Sequence, residues 1–474
     1  MTEPVLVLFR NDRRIADNGA LAAAADSGRP VVAVFILDED SPGVRPHGGA
    51  SRWWLRHSLA ALAAKLETLG LPLTLRRGST ATIVDELIAE TGAGTVLWNR
   101  RYQPAGIAVD AALKHTLPER GVRADSFDGA LLHEPSRLTT GTGGFYKVFT
   151  PFWNALASGH EPRDPIDAPE AIRRYGPDLF SERLDELVLL PSSPDWAGGL
   201  REAWTPGETG ARALLDEFLD SGLAGYEDKR DLPTLAATSR LSPHLAHGEI
   251  TPYQILAALR GAGASPGAAK FRKEIGWREF CGHLLFHNPD LASRNFQPAF
   301  DAFPWTDDNG AVRAWQAGRT GYPIVDAGMR ELWLTGTMHN RVRMIAASFL
   351  TKHLLVDWRV GERWFWETLV DADPASNPAN WQWVAGSGAD AAPYFRIFNP
   401  VLQGEKFDPD GDYVRRFVPE LARLPTRFLH KPWLAPVSAL TEAGVMLGRD
   451  YPAPMVDHAK ARERALAAYR NARL

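Results

Sequence analysis

Short apolar runs recur through the first 130 residues, at 5–9 (VLVLF), 31–37 (VVAVFIL), 71–75 (LPLTL) and 95–99 (TVLWN), with a helix-length stretch between each pair. Runs that are apolar on both faces, alternating with helical patterns, predict a parallel sheet covered on both sides by crossover helices. The clearest helix is set by Leu55, Leu59, Leu62, Leu66 and Leu69 at steps of four and three, with Ser51 placed to cap its start and Gly70 to end it. Residues 1–130 are therefore expected to form an α/β domain. The first run is followed by Phe9-Arg10-Asn11-Asp12, not by a glycine-rich dinucleotide or phosphate loop.

From 131 to 205 the periodicity fades and prolines accumulate, as expected of a connector on the surface. Beyond 206 the pattern is helical to residue 474, with Ser242-Pro243 and Thr251-Pro252 as predicted helix starts. Ten of the sixteen tryptophans lie beyond residue 270, more than an ordinary core calls for. The one cysteine, Cys281, excludes a disulfide framework and a four-cysteine metal site. No run reaches 18 apolar residues, so no membrane span is expected and the cytoplasm is the expected compartment. The net charge of −4 does not itself suggest nucleic acid, although a local basic groove can hide within it.

Thr238-Ser239-Arg240-Leu241-Ser242-Pro243 sets three hydroxyls and a cation at a helix start, a place that suits an anion. Arg341 and Arg343 are two apart on a helical pattern, so they diverge and serve different neighbours; Asp371, Asp373 and Asn377 supply partners for a buried arginine and a polar heterocycle. Trp381 and Trp383 diverge in the same way. Arg341, Arg396 and Lys406, with Trp277 and Trp383, combine cations and flat aromatics in the manner that grips phosphates and stacks on bases. His283 and His287 lack the glutamate and the third ligand of a metal site, so no metal is expected.

Trp277-Arg278-Glu279-Phe280, Gly321 to Ala327 (GYPIVDA), Met338-His339-Asn340-Arg341, Trp381-Gln382-Trp383 and Tyr394 to Pro400 (YFRIFNP) closely resemble the photolyase/cryptochrome family. The resemblance runs through the whole chain, is nearest to bacterial cyclobutane pyrimidine dimer photolyases, and in Gly48 to Trp54 and Trp98 to Tyr102 resembles their class III subgroup. It implies an α/β Rossmann-like antenna domain followed by an all-α domain that binds FAD and DNA. Tyr226, Thr238, Ser239, Leu241 and Ser242 match the family's diphosphate contacts, and Arg240, Phe271, Arg278 and Asn340 join the flavin set. Arg343 matches the arginine that pairs with Asp371 beside the flavin ring, Asp373 a polar-edge contact and Asn377 the residue facing flavin N5.

Glu274 and Trp277 match the lesion-binding pair, with Trp383, Asn340 and Met344 completing the pocket and Arg230 added to the DNA contacts. The implied reaction is light-driven: excited FADH⁻ gives an electron to a dimer in UV-damaged DNA, the ring bonds split and the electron returns. Six-four photolyases place histidines at the positions of Asn340 and Met344, so the cyclobutane dimer is the expected substrate. Trp305, Trp358 and Trp381 match the chain that reduces oxidised flavin under light. Methenyltetrahydrofolate is the expected antenna, near Asp38, Glu39, Arg52 and Arg101; a deazaflavin is the alternative, although Ala246 stands where its users carry lysine. A cryptochrome photoreceptor signalling through a protein partner is the other reading; such receptors often replace the residue at Asn377 and extend the C-terminus, whereas this chain stops soon after Tyr469. No obligate protein partner is expected, and a repair enzyme would work at the bacterial nucleoid.

Overall fold

A computed structural model describes residues 2–159, 161–390 and 395–472, so Tyr394 lies outside the described residues. Five parallel strands, β1 (Val5–Phe9), β2 (Val31–Leu37), β3 (Leu73–Arg77), β4 (Thr95–Asn99) and β5 (Arg123–Phe127), form one sheet in the order β3-β2-β1-β4-β5. Helices α1 (Gly19–Asp26) and α2 (Gly49–Glu67) cover one face, where Val5, Val7 and Phe9 meet Leu21, Leu62 and Leu66. Helices α3 (Thr80–Thr91) and α4 (Pro104–Glu119) cover the other, where Leu6, Leu8 and Trp98 meet Val84, Leu87 and Leu113. This three-layer arrangement is why β1, β2 and β4 are buried at every position, and why β1 and β2 are apolar throughout while β4 is apolar from Val96 to Trp98.

Two local expectations are corrected. Helix α2 begins at Gly49 with Gly48 as N-cap, and Ser51 is turned inward to donate to the Leu369 carbonyl at 3.2 Å. Ser242 does not cap its helix either: Leu241 holds the N-cap position, and the Ser242 hydroxyl donates to Asp371. Thr251, by contrast, forms a full capping box with Gln254.

The helices that frame the central cleft are α5 (Phe149–Ala157), α6 (Ser242–Ala246), α7 (Pro252–Gly261), α8 (Pro266–His287), α9 (Asn340–Ser348), α10 (Trp358–Thr368), α11 (Ser376–Ala385), α12 (Pro400–Phe407) and α13 (His458–Ala472). Helix α5 falls inside the stretch read as a surface connector. It is not superficial, because Phe149 and Phe152 are buried against Phe280 and Leu284 of α8.

The sheet is joined to the helices by buried polar contacts at the ends of β1 and α6. Arg14 donates to the Gly248 carbonyl at 2.9 Å, Arg13 contacts the His247 ring, and Trp54 donates to Glu249 at 3.0 Å. Gly248 has φ +67°, and a Cβ there would sit 1.9 Å from the Asn11 carbonyl oxygen. Gly248→Ala is therefore expected to destabilise by about 1–3 kcal/mol from backbone strain alone, with the clash added, and to lower the thermal unfolding midpoint. An unchanged midpoint would show that the junction tolerates displacement.

Candidate functional site

A polar cluster between the helices is built on Asp371, which follows α10. Its Oδ2 accepts from the Ser242 hydroxyl at 2.6 Å and from Arg343 Nη2 at 2.8 Å, while Arg343 Nε donates to the Met338 carbonyl at 2.7 Å. The other oxygen, Oδ1, is buried and has no partner among the described residues. A buried carboxylate oxygen left unpaired is costly, so the position fits a ligand that brings a hydrogen-bond donor. The i, i+2 divergence is observed: Arg341 turns the other way, pairing with Asp231 at 2.7 Å and lying over the Phe407 ring.

Asn377, in the first turn of α11, donates Nδ2 to Glu362 Oε1 at 2.9 Å and to the Glu362 carbonyl at 3.0 Å. That leaves its Oδ1 as the group it can present to a ligand. Glu362 is in turn ion-paired with Arg45 at 2.7 Å, a long-range tie that sequence spacing gave no sign of. Asp373 Oδ1 accepts from the amides of Ala375 and Ser376 at 3.0 and 2.6 Å and so anchors the start of α11. Phe271 is buried against Tyr226 and Phe218, ring centroids 5.4 and 4.6 Å away.

Thr238, Ser239 and Leu241 precede α6 as expected, but Arg240 does not join their hydroxyls. It has φ +54°, lies over the Trp204 ring and donates to the Ala203 carbonyl at 2.9 Å. Arg278 donates to the Ala130 carbonyl at 2.8 Å and, with Asp373, lines a cleft between the ends of β1 and β4 and the helices. Arg101, Gln103 and Ala246 line the same cleft. The four antenna candidates are not gathered there. Glu39 pairs with Arg52, Asp38 accepts from Ser41 and Thr80, and Arg101 pairs with Asp110 at 3.4 Å.

Glu274 and Trp277 lie on one face of α8. Glu274 is ion-paired with Arg230, whose guanidinium lies over the Tyr226 ring. The Trp277 ring is stacked on Phe149, centroids 3.7 Å apart and planes within 7°. Phe149 was not singled out from the sequence, because only the fold brings 149 to 277. Trp381 is buried against Phe365, while Trp383 is half-buried and donates its indole N–H to the Asp390 carbonyl at 3.0 Å. Arg341, Arg396 and Lys406 line one open groove with Asp228, Asp231 and Phe407. Asn340 and Met344 open α9, whose N-cap is His339. Burial pushes the His339 pKa down to about 4, so at neutral pH the uncharged ring accepts the Arg341 amide through Nδ1.

Trp358 opens α10 and is fully buried, donating to Asn295 at 2.9 Å. One turn on, Gly361 makes room for Trp381: a Cβ there would lie 2.1 Å from the indole. Trp305 is half-buried and precedes Thr306, whose amide bonds the Leu355 carbonyl at 2.7 Å, three residues before Trp358. Trp358 and Trp381 share one buried cluster, against which Trp305 packs.

Lys352, which the sequence reading passed over, is buried with no ion-pair partner among the described residues. It donates to the Ala385 carbonyl at the end of α11 at 2.6 Å and faces the Phe395 ring at 3.0 Å from its centroid. Burial holds its pKa well below 10.5. Between the lowered value and 10.5 the unfolded chain binds more protons than the folded one, so this residue makes stability rise with pH across that window. In denaturant unfolding, wild type is expected to gain relative to Lys352→Met as pH is raised from about 7 towards about 10; a difference that stays flat would contradict the burial of the charge.

No helix is long and apolar enough to cross a membrane among the described residues. Two family models match, "DNA photolyase" over residues 5–170 and "FAD binding domain of DNA photolyase" over residues 271–471. The chain is 60% identical to the deoxyribodipyrimidine photo-lyase of Agrobacterium fabrum, over 99% of this chain and 98% of that protein. It is 39% identical to cryptochrome-1 of Arabidopsis thaliana, over 96% of this chain and 69% of that protein. The crystal structure of a bacterial class III photolyase from Agrobacterium tumefaciens superposes with a TM-score of 0.97 at 58% identity, covering all of this chain and 98% of that one.

Proposed function

The chain belongs to the photolyase/cryptochrome family, and on that premise we propose that it is a light-driven repair enzyme that splits cyclobutane pyrimidine dimers in DNA. The observation that carries the reading furthest is the unpartnered Asp371 Oδ1 beside Arg343 and Ser242, a built polar wall in a domain whose family model binds FAD.

Held there, FAD in its reduced form FADH⁻ supplies the excited electron that the dimer takes up and gives back. The residues that would hold it are Tyr226, Thr238, Ser239, Leu241 and Ser242 on the diphosphate side, and Phe271, Arg278, Arg343, Asp371, Asp373 and Asn377 around the ring and its edges. Arg343 neutralises Asp371, so a flavin donor can reach Oδ1 without facing an uncompensated charge. Asn377, fixed through Glu362 and Arg45, offers one acceptor in a set direction.

On the DNA side, Arg341, Arg396 and Lys406 would contact phosphates, giving an affinity that falls steeply with salt. The damaged pair must leave the stack, at a cost of a few kcal/mol that is least for distorted bases. Trp277, backed by Phe149, and Trp383 would take the flipped bases by stacking. Glu274 is ion-paired with Arg230, and a carboxylate only accepts, so its partners on the lesion would be base N–H groups. Asn340 and Met344 offer no titratable ring to move a proton, which favours the cyclobutane lesion over the six-four product. Methenyltetrahydrofolate remains the proposed antenna on the likeness to class III photolyases, with a deazaflavin as the alternative. The cytoplasm, at the nucleoid, is the proposed place of work.

Reduced protein illuminated with oligonucleotides carrying each lesion tests the reading. Conversion of the cyclobutane dimer alone is expected; conversion of the six-four product, or of neither, would overturn it.

A further inference from the structure

The turn after α11 contains a residue that bonds one aromatic wall assigned to the lesion and the residue stacked on the other. Asp390 has φ +51°, a left-handed conformation that aspartate tolerates better than most residues. Its carbonyl accepts the Trp383 indole N–H at 3.0 Å. Its Oδ2 accepts the backbone N–H of Phe149 at 3.1 Å. Phe149 is the first residue of α5, and Val148 at the N-cap makes no side-chain capping bond. Asp390 thus supplies from 241 residues away the cap that the local sequence lacks, a carboxylate at a helix N-terminus. The Phe149 ring in turn lies flat on Trp277 at 3.7 Å. A continuous path, Trp383 to Asp390 to Phe149 to Trp277, joins the two walls.

We propose that Asp390 is a positioning residue that fixes the separation of Trp277 and Trp383 and so sets the affinity for the flipped-out dimer, leaving the electron-transfer step untouched. The proposal rests on the reading that these two tryptophans hold the lesion. Its physical basis is the short range of stacking: a radial gap of about 0.5–1 Å forfeits a quarter to a half of a dispersion contact. The two walls stand on different helices, α8 and α11, which pack against each other, and Asp390 adds a tie just beyond the end of α11.

The test compares Asp390→Gly, which keeps the carbonyl and the left-handed backbone but removes the carboxylate, with Asp390→Asn, which keeps an acceptor. Dissociation constants are measured for a duplex with one dimer and for the same duplex undamaged, together with flavin content and repair yield per bound dimer. Asp390→Gly is expected to weaken binding of the damaged duplex by about two- to tenfold, the loss of a quarter to a half of one base-stacking contact. Undamaged binding, flavin content and yield per bound dimer stay at wild-type values, and Asp390→Asn stays within about twofold of wild type. Adding Phe149→Leu to Asp390→Gly is expected to cost no more than the larger single effect, because both act through one contact.

Equal losses on both duplexes, additive effects, or loss of flavin from the glycine variant alone would overturn the proposal. If Asp390→Gly binds dimers normally while Trp277→Ala does not, the positioning role fails and the lesion reading stands. If neither substitution alters dimer binding, the lesion reading itself fails.

Discussion

Trp381→Phe is expected to abolish light-driven reduction of oxidised flavin and to leave dimer splitting by chemically reduced enzyme at the wild-type level. Trp381 is buried on α11 against Phe365 and the backbone of Gly361, and its indole N–H has no partner among the described residues. Phenylalanine fills most of the same space, so the fold is retained and the substitution removes the easily oxidised indole. Fully buried Trp358 belongs to the same cluster as Trp381, and half-buried Trp305 packs against it. Repair draws the electron from already reduced flavin and returns it, so it does not use this path. Flavin absorbance under illumination with an external reductant reads the first activity, and dimer splitting after chemical reduction reads the second. Loss of both would return Trp381 to a packing role.

Trp277→Ala is expected to lower affinity for a dimer-containing duplex by about ten- to a hundredfold, from a stacking contribution of about 1–3 kcal/mol per base. Binding of the undamaged duplex is expected to change little, because the phosphate groove of Arg341, Arg396 and Lys406 is untouched. Titration of each duplex at fixed salt measures the difference. An equal drop on both would place Trp277 on the general DNA surface and not in the lesion pocket.

Strands β1, β2 and β4 were legible because helices cover both their faces and every position is buried, with an unbroken apolar run in β1 and β2 and an apolar centre, Val96 to Trp98, in β4. β3 is displaced by two residues from the expected run: Leu71 is buried before the strand, while Arg76 and Arg77 pair with Ile36 and Leu37 inside it. β5 (RADSF) gave no signal, since an edge strand that is only half-buried needs no apolar run. Ser51 and Ser242 looked like caps, yet tertiary partners, the Leu369 carbonyl and Asp371, claim both hydroxyls.

At the candidate site, spacing alone revealed that Arg341 and Arg343, and Trp381 and Trp383, must diverge. It could not reveal Phe149 under Trp277, Arg45 behind Glu362 or Asp390 between the two walls. Each of those contacts joins segments more than a hundred residues apart or runs through backbone atoms that carry no sequence signature.

The most direct test of the central claim is recovery of thymine absorbance when pre-reduced protein and a dimer-containing oligonucleotide are illuminated, with a matched sample kept dark. Repair predicts recovery in the light, none in the dark and more than one dimer split per protein. No light-dependent recovery, from protein shown to hold reduced flavin and to bind the damaged strand, would contradict it.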